Sequence, residues 1–390
     1  MGLSTKTVGA NAERARNHNR QMVLERIRQA GQIGRAEIAR GSGLSTQAVS
    51  NIISDLLSDG LISKQGRKAT SRGQPPVQYG INPCGGYAVG IEIRPDAVFA
   101  AVLDLAGKTI ASSRRALRSR TLKGVTSAVL AAKETTIDKA GIAPGKVLGA
   151  GIVMPGPFGP TGLSGTGSEF SIFHEVSPTA WFEEALDMEV VVENDANAAA
   201  IAEQVTGFAS GLDTYGFLYF GAGLGLGIVQ GGRLVTGTFG NAGEIGHIPI
   251  RLGASRVPLE DLLSRMSVQQ HLAGAGLALD TIEALSAAYD ARLPPLMDWL
   301  GNASSAFADA IAIIENMLDP QVVIIGGAMP DSILDHLIDT VELSDRSVSN
   351  RPGRRTPRVL RGASGQLTGT LGAASLAINR AFTPRIAAAT

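Results

Sequence analysis

The sequence has 390 residues but only one cysteine, Cys84, and aromatic residues make up only 5% of it. A single cysteine excludes a disulfide framework and any metal site built from several thiolates of this chain. No apolar run reaches the roughly 18 residues of a membrane-spanning helix, and the N-terminus lacks the apolar stretch of a signal peptide. We therefore expect a cytoplasmic protein with no membrane partner.

Glycine, in contrast, is abundant. The 48 glycines are about 12% of the chain, against roughly 7% in average proteins. Glycine permits tight turns and close approach of the backbone to a ligand. The hydrophobic fraction of 44% supports folded cores, and the length allows two or three domains.

The net charge of zero hides an uneven distribution. Residues 1–80 hold 12 of the 35 Lys and Arg residues but only 5 of the 35 Asp and Glu residues. A basic segment attached to an acidic body is typical of a module that binds a polyanion such as DNA. The alternative is a solvated basic surface with no partner.

Hydrophobic spacing divides the first 82 residues into an arm and a three-helix domain. Residues 1–16 are small, polar and charged, which predicts a disordered arm. Apolar residues then recur at three- and four-residue steps, with glycines as stops. The predicted helices run from Asn19 to Ala30, from Arg35 to Arg40 and from Thr46 to Ser58, with Ser45 as the N-cap of the third.

Two short helices joined by a glycine turn predict a helix-turn-helix, whose second helix fits the major groove of DNA. Short hydrogen-bonding side chains lie off the apolar stripe of that helix, where they suit base edges and phosphates. The predicted DNA contacts of this unit are Arg35, Ser45, Thr46, Gln47, Ser50 and Asn51. The alternative is a plain three-helix bundle with a polar face.

Two short extended stretches follow, on either side of a basic turn that contains glycine and proline. They predict a β-wing whose arginines contact phosphates or enter a narrow minor groove. Its predicted DNA contacts are Arg67, Lys68, Arg72 and Gly73. Residues 17–82 are therefore predicted to form a winged helix-turn-helix DNA-binding domain.

From Tyr87 the strands alternate with helices, which favours a mainly parallel sheet covered by helices. The order strand, strand, strand, helix, strand recurs from Tyr215, which predicts two related lobes with a ligand cleft between them. We place the lobes at residues 83–207 and 208–365, with a C-terminal helix at 366–383 that packs back on the first lobe.

A polar run, Glu193-Asn194-Asp195-Ala196-Asn197, follows the predicted strand Val190–Val192. Open α/β sheets bind ligands where their strands end. A carboxylate at this place is able to hydrogen-bond a ligand hydroxyl or accept its proton. The alternative is that the run caps a following helix.

A glycine-rich segment, Gly221 to Gly227, lies between two predicted strands. Such a loop lets backbone N–H groups approach a phosphate. It lacks the Lys-Ser/Thr pair of a P-loop and opens no helix, so a glycine-rich hairpin turn is the favoured alternative.

A third motif places Glu244 and His247 close together, with Glu260 thirteen residues further on. Two carboxylates and one imidazole are able to ligate a metal, to act as acid and base, or to bind several hydroxyls. A metal needs more ligands than these. Polyol recognition suits the set better, because buried carboxylate–hydroxyl bonds reject ligands that lack the hydroxyl.

Together these motifs resemble the ROK family, which groups sugar-responsive repressors with sugar kinases, over nearly the whole chain from Asn17 to Arg380. The resemblance is carried by "RAEIARGSGLSTQAVSNIISDLLSDGLI", "VVVENDANAAAIAE", "GAGLGLGIVQGGRLVTGTFGNAGEIGHI", "VVIIGGA" and "LGAASLA". It implies an α/β chain with an N-terminal winged helix-turn-helix, followed by a two-lobed actin/hexokinase-like (ribonuclease H-like) domain.

The resemblance also implies a sugar site at the hinge of the two lobes. By position, its residues are Pro155, Gly156, Asn194, Asp195, Glu244, His247 and Glu260. The implied partners are double-stranded operator DNA, a monosaccharide or related effector, and further copies of the chain in a homodimer or homotetramer.

The sequence departs from the kinase members of the family at the phosphate loops. Those kinases begin with Asp-x-Gly-Gly-Thr/Ser, where this chain reads Glu92-Ile93-Arg94-Pro95-Asp96. Pro95 has no N–H, and Arg94 places a side chain where close backbone approach needs none. Ala222 stands where kinases usually have a hydroxyl. We therefore predict a domain that binds sugar and catalyses no reaction.

Many members also carry three cysteines after the histidine that bind zinc, and "HIPIRLGASRVPLE" has none of them. We therefore expect no metal and no cofactor, and His247 is left with a sugar contact or with support of its loop. Two alternatives stay open. One is an active ATP-dependent sugar kinase with a regulatory N-terminal domain, and the other is a DNA-binding protein that responds to no ligand.

Overall fold

The computed structural model describes residues 6–67, 76–158, 173, 176–363 and 365–382. Its helices are α1 Lys6–Ala30, α2 Arg35–Ser42, α3 Thr46–Ser58, α4 Leu122–Ala140, α5 Pro178–Leu186, α6 Asp195–Thr206, α7 Arg265–Gly274, α8 Ile282–Asp290, α9 Pro294–Leu318, α10 Asp331–Thr340 and α11 Thr368–Phe382. Its strands are β1 Ile33–Gly34, β2 Ile62–Arg67, β3 Val77–Ile81, β4 Tyr87–Ile93, β5 Ala97–Asp104, β6 Thr109–Ala116, β7 Val147–Val153, β8 Val190–Glu193, β9 Tyr215–Phe220, β10 Leu224–Gln230, β11 Arg233–Leu234, β12 Pro249–Leu252, β13 Ser255–Pro258, β14 Val323–Gly327 and β15 Val359–Arg361.

The N-terminal domain is a winged helix, as predicted. The third helix has the predicted bounds, and the Ser45 hydroxyl caps it by accepting a hydrogen bond from the backbone N–H of Ala48. Its buried side chains recur at the three- and four-residue spacing that orients one face toward a core. These are Val49, Ile52, Ile53 and Leu56.

The prediction of a disordered arm over residues 1–16 is wrong for residues 6–16, which form the first turns of α1. This stretch is polar, but it contains several alanines, arginines and a glutamate, which favour helix, and no proline. Ion pairs with α3 stabilise its continuation, because Arg16 contacts Asp55 at 2.8 Å and Arg20 contacts Asp59. Polarity alone was a poor guide to disorder here.

The predicted wing strands are β2 and β3, which pair antiparallel with Ile62 opposite Ile81. A two-residue strand, β1, adds to the other side of β3 and gives the sheet order β1-β3-β2. Such a short strand has too little periodicity to be recognised in a sequence. The predicted contacts Lys68, Arg72 and Gly73, and the side chain of Arg67, lie outside the described residues.

The body consists of two lobes built on sheets of the same topology, which confirms the two-lobed α/β prediction. The first sheet has the order β6-β5-β4-β7-β8 and the second has the order β11-β10-β9-β14-β15. In each sheet three antiparallel strands are followed by two strands parallel to the first of them. The carboxyl ends of β4, β7, β8, β9 and β14 therefore face the cleft between the lobes.

Helix α11 returns to the first lobe and lies against α6, β4 and β7. Its close approach to the sheet requires glycine. A Cβ atom on Gly151 of β7 would collide with the carbonyl of Ala373 in α11. The last turns of α11 continue past the sheet to the winged helix.

The winged helix and the body share one hydrophobic core. Val23 and Ile27 of α1 belong to the same buried cluster as Leu103, Ile378 and Phe382 of the body. Hydrogen bonds from Asn82 to Gly60 and Leu61 hold the connection between the two domains. Because the shared core is buried and close-packed, we expect a movement of α11 to displace the winged helix.

Among the helices that the structure describes, none is both long enough and apolar enough to cross a membrane.

Candidate functional site

A cavity of about 350 Å³ opens between the two lobes. Residues from the first lobe line one wall and residues from the second lobe line the other. All seven residues predicted to bind sugar line it, namely Pro155, Gly156, Asn194, Asp195, Glu244, His247 and Glu260. We call this space the sugar cavity. Both walls carry polar side chains, the second-lobe wall also contains several glycines, and the size of the cavity suits a monosaccharide.

The polar run after β8 both caps α6 and lines the sugar cavity. The side-chain oxygen of Asn194 accepts a hydrogen bond from the N–H of Asn197 at 2.7 Å, so Asn194 is the N-cap. The capping alternative is therefore correct for Asn194. Asp195 follows as the first helical residue, and one of its oxygens accepts from the N–H of Ala196 at 2.9 Å.

The carboxyl group of Asp195 has its pKa raised to about 7. Burial is the largest cause, and the negative charge of Glu92 adds to it. The pKa of the neighbouring Glu193 is also raised by burial, although hydrogen bonds from Asn197 and Asn194 oppose the change. A carboxyl group with a pKa near 7 is partly protonated at neutral pH, so it is able both to accept a hydrogen bond from a hydroxyl and to donate one.

His247 lies between two carboxylates on the opposite wall. Its Nε2 is 3.6 Å from Glu244 and its Nδ1 is 3.4 Å from Glu260. Burial raises the pKa of Glu244, His247 lowers it in part, and Glu260 raises it further. The three side chains are only partly buried, at 25–31% exposure, so their remaining hydrogen-bonding atoms face the sugar cavity. The glycine at 223 makes room for them, because a Cβ there would collide with the Glu260 carboxylate.

Within the described ranges, no group of three or more His, Cys, Asp and Glu side chains has an arrangement that would hold a metal ion.

The glycine-rich segment forms a hairpin, which was the favoured alternative. Strand β9 turns at Gly221 to Gly223 into β10, and the N–H of Gly221 bonds to the carbonyl of Gly223. The carbonyls of Gly221 and Ala222 accept hydrogen bonds from the first two N–H groups of α7. Backbone donors that a phosphate would need are thus partly used within the hairpin.

Behind Asp195, the residues that replace the kinase phosphate loop form a buried ionic network. The Arg94 guanidinium donates to both carboxylate oxygens of Glu92, at 2.7 and 3.0 Å, and to the carbonyl of Gln366 at 2.6 Å. It also stacks over the ring of Phe99, 4.2 Å from the centroid. Only 2% of Glu92 and 6% of Arg94 is exposed. The Arg94 side chain therefore fills space next to the cleft.

Two further hydroxyls complete this network. Tyr219 of the second lobe donates to Glu92 at 3.0 Å, and Thr370 of α11 donates to it at 2.7 Å. The Glu92 carboxylate thus receives four hydrogen bonds, which satisfies a buried anion. Glu92 joins the first lobe, the second lobe and α11.

A pair of hydrogen bonds between Asn241 and Phe158, which we call the Asn241 clasp, also links the lobes. The Asn241 amide accepts from the N–H of Phe158 at 2.9 Å and donates to the carbonyl of Phe158 at 3.0 Å. Phe158 follows the Pro155-Gly156 turn of the first lobe, whereas Asn241 belongs to the second. The clasp therefore favours one relative position of the lobes.

The predicted DNA-binding side chains lie on the outer face of α3 and at the start of α2. Thr46, Gln47 and Asn51 are exposed, and the Gln47 amide donates to Asn51 at 3.1 Å. Ser50 is partly buried on the same helix. Arg35 is exposed but tied to the wing sheet, because its Nε donates to the hydroxyl of Tyr79 at 3.0 Å.

Sequence reasoning missed three residues that shape the cleft. Tyr219 lies inside an apolar strand, so its hydroxyl partner across the lobes was not foreseeable. Asn241 lies within the recognised string "GTFGNAGEIGH", and its polar side chain among glycines was a signal that was overlooked. Arg265 begins α7 and lines the cleft beside Arg94; its sequence neighbourhood gives no sign of this.

Two relatives indicate what kind of protein has this sequence. The xylose repressor of Bacillus subtilis (strain 168) is 26% identical over 240 residues, which are 60% of each chain. The N-acetylglucosamine repressor of Escherichia coli O157:H7 is 24% identical over 346 residues, with 83% of each chain covered.

Solved structures share the fold. A ROK family transcriptional regulator that is a homologue of the E. coli MLC protein superposes with a TM-score of 0.71 at 21% identity, and covers 95% of this chain and 98% of its own. A ROK family glucokinase from Streptomyces griseus, in complex with glucose and AMPPNP, has a TM-score of 0.57 at 25% identity, and covers 75% of this chain and 99% of its own.

Family models account for both parts of the chain. Residues 16–63 match a winged helix-turn-helix DNA-binding model. Residues 88–380, which include both lobes, every cavity residue named above and α11, match the model of the ROK family. The protein therefore belongs to the ROK family.

Proposed function

We propose that this protein is a DNA-binding transcriptional regulator, most simply a repressor of carbohydrate uptake or catabolism genes, that responds to a sugar bound between its lobes. The observation that carries the proposal is the combination of a winged helix with a polar outer face and a polar cavity at the hinge, joined by one shared core. The two relatives named above are a xylose repressor and an N-acetylglucosamine repressor.

The chemistry of the sugar cavity supports a polyhydroxylated ligand. Asp195, Glu244 and Glu260 offer carboxylate acceptors, while His247 and the Asn194 amide offer donors. Such groups bind adjacent hydroxyls in pairs, and each pairing discriminates against a ligand that lacks the hydroxyl. The glycines of the second-lobe wall leave room for the ring.

The same cleft argues against phosphoryl transfer. That reaction depends on positioning the phosphates and stabilising their charge. Here Arg94 and Glu92 satisfy each other, and the hairpin carbonyls hold α7 instead of leaving its N–H groups free. We therefore propose that the ROK domain of this protein binds sugar and transfers no phosphoryl group.

Helix α11 offers a route from the cleft to DNA. Thr370 at its start is hydrogen-bonded to Glu92, and Ile378 and Phe382 at its end pack in the core of the winged helix. A sugar that changes the angle between the lobes would displace α11 and with it the recognition helix. The ligand shifts the DNA-binding equilibrium only by its differential affinity for the two states.

On DNA we propose a homodimer or homotetramer in which paired winged helices read a near-palindromic operator. Half-site centres would lie a whole number of roughly 10–10.5 bp turns apart. Gln47, Ser50 and Asn51 would supply sequence preference, with Ser45 and Thr46 on the phosphates near the helix start. Arg35 and the wing residues Arg67, Lys68, Arg72 and Gly73 would supply salt-dependent contacts.

The test uses the purified full-length chain. A preferred duplex is first selected from a random DNA library, and its affinity is then measured by fluorescence anisotropy with and without each sugar that raises the melting temperature. We expect one sugar to change operator affinity by about 5- to 150-fold, the usual range of allosteric coupling. The Gln47→Ala/Asn51→Ala variant is the matched control, and it should lose the selected duplex while keeping the sugar-induced thermal shift.

A coupled ADP assay with the same sugars separates this proposal from the kinase alternative. Sugar-dependent ATP turnover would contradict the proposed loss of activity, and a selected duplex that no sugar releases or tightens would contradict the proposed sugar response.

A further inference from the structure

One edge of the first lobe carries a basic segment that belongs neither to the sugar cavity nor to the winged helix. Residues 105–133 hold seven Lys and Arg residues and no Asp or Glu. Residues 81–390 as a whole have the opposite balance, with 23 of the 35 Lys and Arg residues against 30 of the 35 Asp and Glu residues. A concentration of one sign of charge produces a local field that attracts a partner of the other sign.

Strand β6 belongs to this segment and is the outer strand of its sheet. The sheet order is β6-β5-β4-β7-β8, so β6 pairs with β5 on one side only. No backbone group in the described part of the chain bonds to the other edge of β6, and six of its eight residues are exposed. An open edge of this kind presents a row of N–H and C=O groups that another strand can pair with.

A groove of about 460 Å³ lies beside the last residues of β6. Arg115 and Arg118 line it together with the hydroxyl-bearing residues Ser119 and Ser127, and no acidic residue does. Among the residues that the structure describes, no carboxylate lies within ion-pair distance of Arg115 or Arg118. Both guanidiniums are therefore available to an acidic ligand.

Arg114 lies on the opposite face of β6, because successive side chains of a strand alternate between its two faces. It contacts Asp96 at 3.3 Å and lies 5.7 Å from the ring centroid of Phe99. The Arg114 side chain is 57% exposed, so this ion pair is weak and leaves the guanidinium accessible. An extended segment alongside β6 would thus meet a basic side chain on each of its two faces.

We propose that β6 binds an acidic, extended segment of a partner protein, which adds to the first-lobe sheet as a sixth strand. Backbone hydrogen bonds to the open edge would supply affinity. Acidic side chains that point alternately toward Arg114 and into the groove would supply specificity. The surface includes no residue of the sugar cavity or of the winged helix, so the inference stands apart from the proposed function.

Other occupants fit these observations less well. A second copy of the chain that paired its own β6 here would place two basic segments side by side, which is destabilising. DNA would use the arginines through its phosphates, but it has no strand to pair with the open edge. Charges on an edge strand also discourage pairing between copies, but that role does not require two arginines in one groove.

The test begins with the selection of peptides from a random library on the immobilised full-length protein. We expect the selected peptides to be rich in Asp and Glu, to alternate them with β-branched residues and to lack a central proline. Fluorescence anisotropy of labelled peptides then measures their affinity. Raising the salt from about 0.1 M to about 1 M shortens the Debye length from about 10 Å to about 3 Å and should weaken binding.

Charge reversal assigns the peptides to the groove. Arg115→Glu/Arg118→Glu should weaken the selected peptides by about tenfold or more, because like charges then face each other. Arg251→Glu/Arg256→Glu makes the same change on the exposed antiparallel hairpin of β12 and β13, and it should leave the affinity unchanged. Thermal unfolding of both variants by circular dichroism should match that of the wild type.

Two further measurements distinguish strand addition from a purely ionic contact. Only every second N–H of an added strand faces its neighbour, so N-methylation of one alternate set of peptide amides should abolish binding and methylation of the other set should not. Amide hydrogen exchange of β6 should slow in the complex, because the added strand protects its open edge.

Selected peptides without an excess of acidic residues, an affinity that Arg115→Glu/Arg118→Glu leaves unchanged, or unchanged hydrogen exchange of β6 would each overturn the inference. Failure to select any peptide would overturn it as well and would leave the charges as protection of the edge. If instead a random-sequence DNA duplex loses more affinity through Arg115→Glu/Arg118→Glu than through the control, the surface binds DNA and the inference is wrong. The proposed sugar response is tested separately, by operator affinity.

Discussion

The two ends of the interlobe cleft have opposite characters, although both lie at the carboxyl ends of the same strands. At one end, the sugar cavity is open, about 350 Å³ in volume, and its carboxylates and imidazole are only partly engaged. At the other end, Glu92 and Arg94 are buried. The Glu92 carboxylate there accepts four hydrogen bonds, two from Arg94 and one each from Tyr219 and Thr370. The first end has polar groups that are free to bind a ligand, whereas the Glu92 and Arg94 side chains at the second end are bonded to each other.

Under the proposed function, this contrast separates ligand binding from phosphoryl transfer within one fold. The same two-lobed scaffold occurs in a ROK glucokinase solved with glucose and AMPPNP. In the present chain the segment predicted to replace the kinase phosphate loop forms an ion pair that is bonded to both lobes and to α11. This network is a mechanical connection, because Thr370 links it to the helix that reaches the winged helix.

The largest effect is expected from breaking the ionic end. Glu92→Gln leaves Arg94 buried with an uncompensated charge, and we expect it to lower the free energy of unfolding by about 3–5 kcal/mol. Urea unfolding followed by circular dichroism measures the loss. Glu134→Gln, on the exposed face of α4, is the matched control, and the double variant Glu92→Gln/Arg94→Met should recover part of the stability.

A loss below about 1 kcal/mol, the usual value for an exposed ion pair, would mean that the network is not structural, and the contrast between the two ends would disappear.

The residues predicted to bind sugar all line the open end, whereas the ionic end was predicted only in outline. Asp195 was identified because it follows a strand of the parallel part of a sheet, and Glu244 and Glu260 were identified from the family resemblance. The same reasoning identified Arg94 and Pro95 as incompatible with a phosphate loop. It did not show that Arg94 pairs with Glu92, since that contact depends on tertiary packing against Tyr219 and α11.

The helices also differ in how far the sequence predicts them. The bounds of α3 follow from its apolar spacing and its Ser45 cap, which are local signals. The extension of α1 to Lys6 has no such local signal, and the exposed ion pairs of Arg16 and Arg20 with α3 lie beyond the extended turns. Arg265 has no local signature at all.

The second largest effect is expected at the sugar end. Asp195→Ala removes a carboxylate that faces the bound hydroxyls, and a hydrogen bond to a charged group contributes about 1.5–3 kcal/mol. The affinity for the sugar that stabilises the wild type should therefore fall by about 10- to 100-fold, as measured by calorimetry, with operator affinity in the absence of sugar unchanged. The control Asp298→Ala lies on the exposed face of α9.

If Asp195→Ala still released DNA at the wild-type sugar concentration, the assignment of the sugar cavity would be wrong.

Asp195 also makes stability depend on pH, because burial and the charge of Glu92 raise its pKa in the folded protein. Its pKa is about 7 in the folded protein and about 3.9 in an unfolded chain. The folded state therefore binds more protons between about pH 4 and pH 7, and its stability falls as the pH rises through that window and levels off above it. Relative to Asp195→Asn, which cannot titrate, the wild type should lose at most ~1.4 kcal/mol per pH unit.

Urea unfolding of the two proteins from pH 5 to pH 8 measures this difference. Parallel stability curves would show that Asp195 titrates in the same range in the folded and unfolded states, and that Glu92 has little influence on it.

The smallest effect is expected from the Asn241 clasp, which touches only the open end. Asn241→Ala removes two hydrogen bonds between the lobes, and each contributes about 0.5–1.5 kcal/mol at most. Because the clasp favours one relative position of the lobes, its loss lowers the fraction of molecules that are ready to bind, and affinity falls by the same factor. We expect sugar binding to weaken by about 2- to 10-fold, measured by calorimetry, with thermal stability nearly unchanged. Asn302→Ala, exposed on α9, is the control, and an unchanged sugar affinity in Asn241→Ala would place the restraint on lobe movement in the Glu92 network alone.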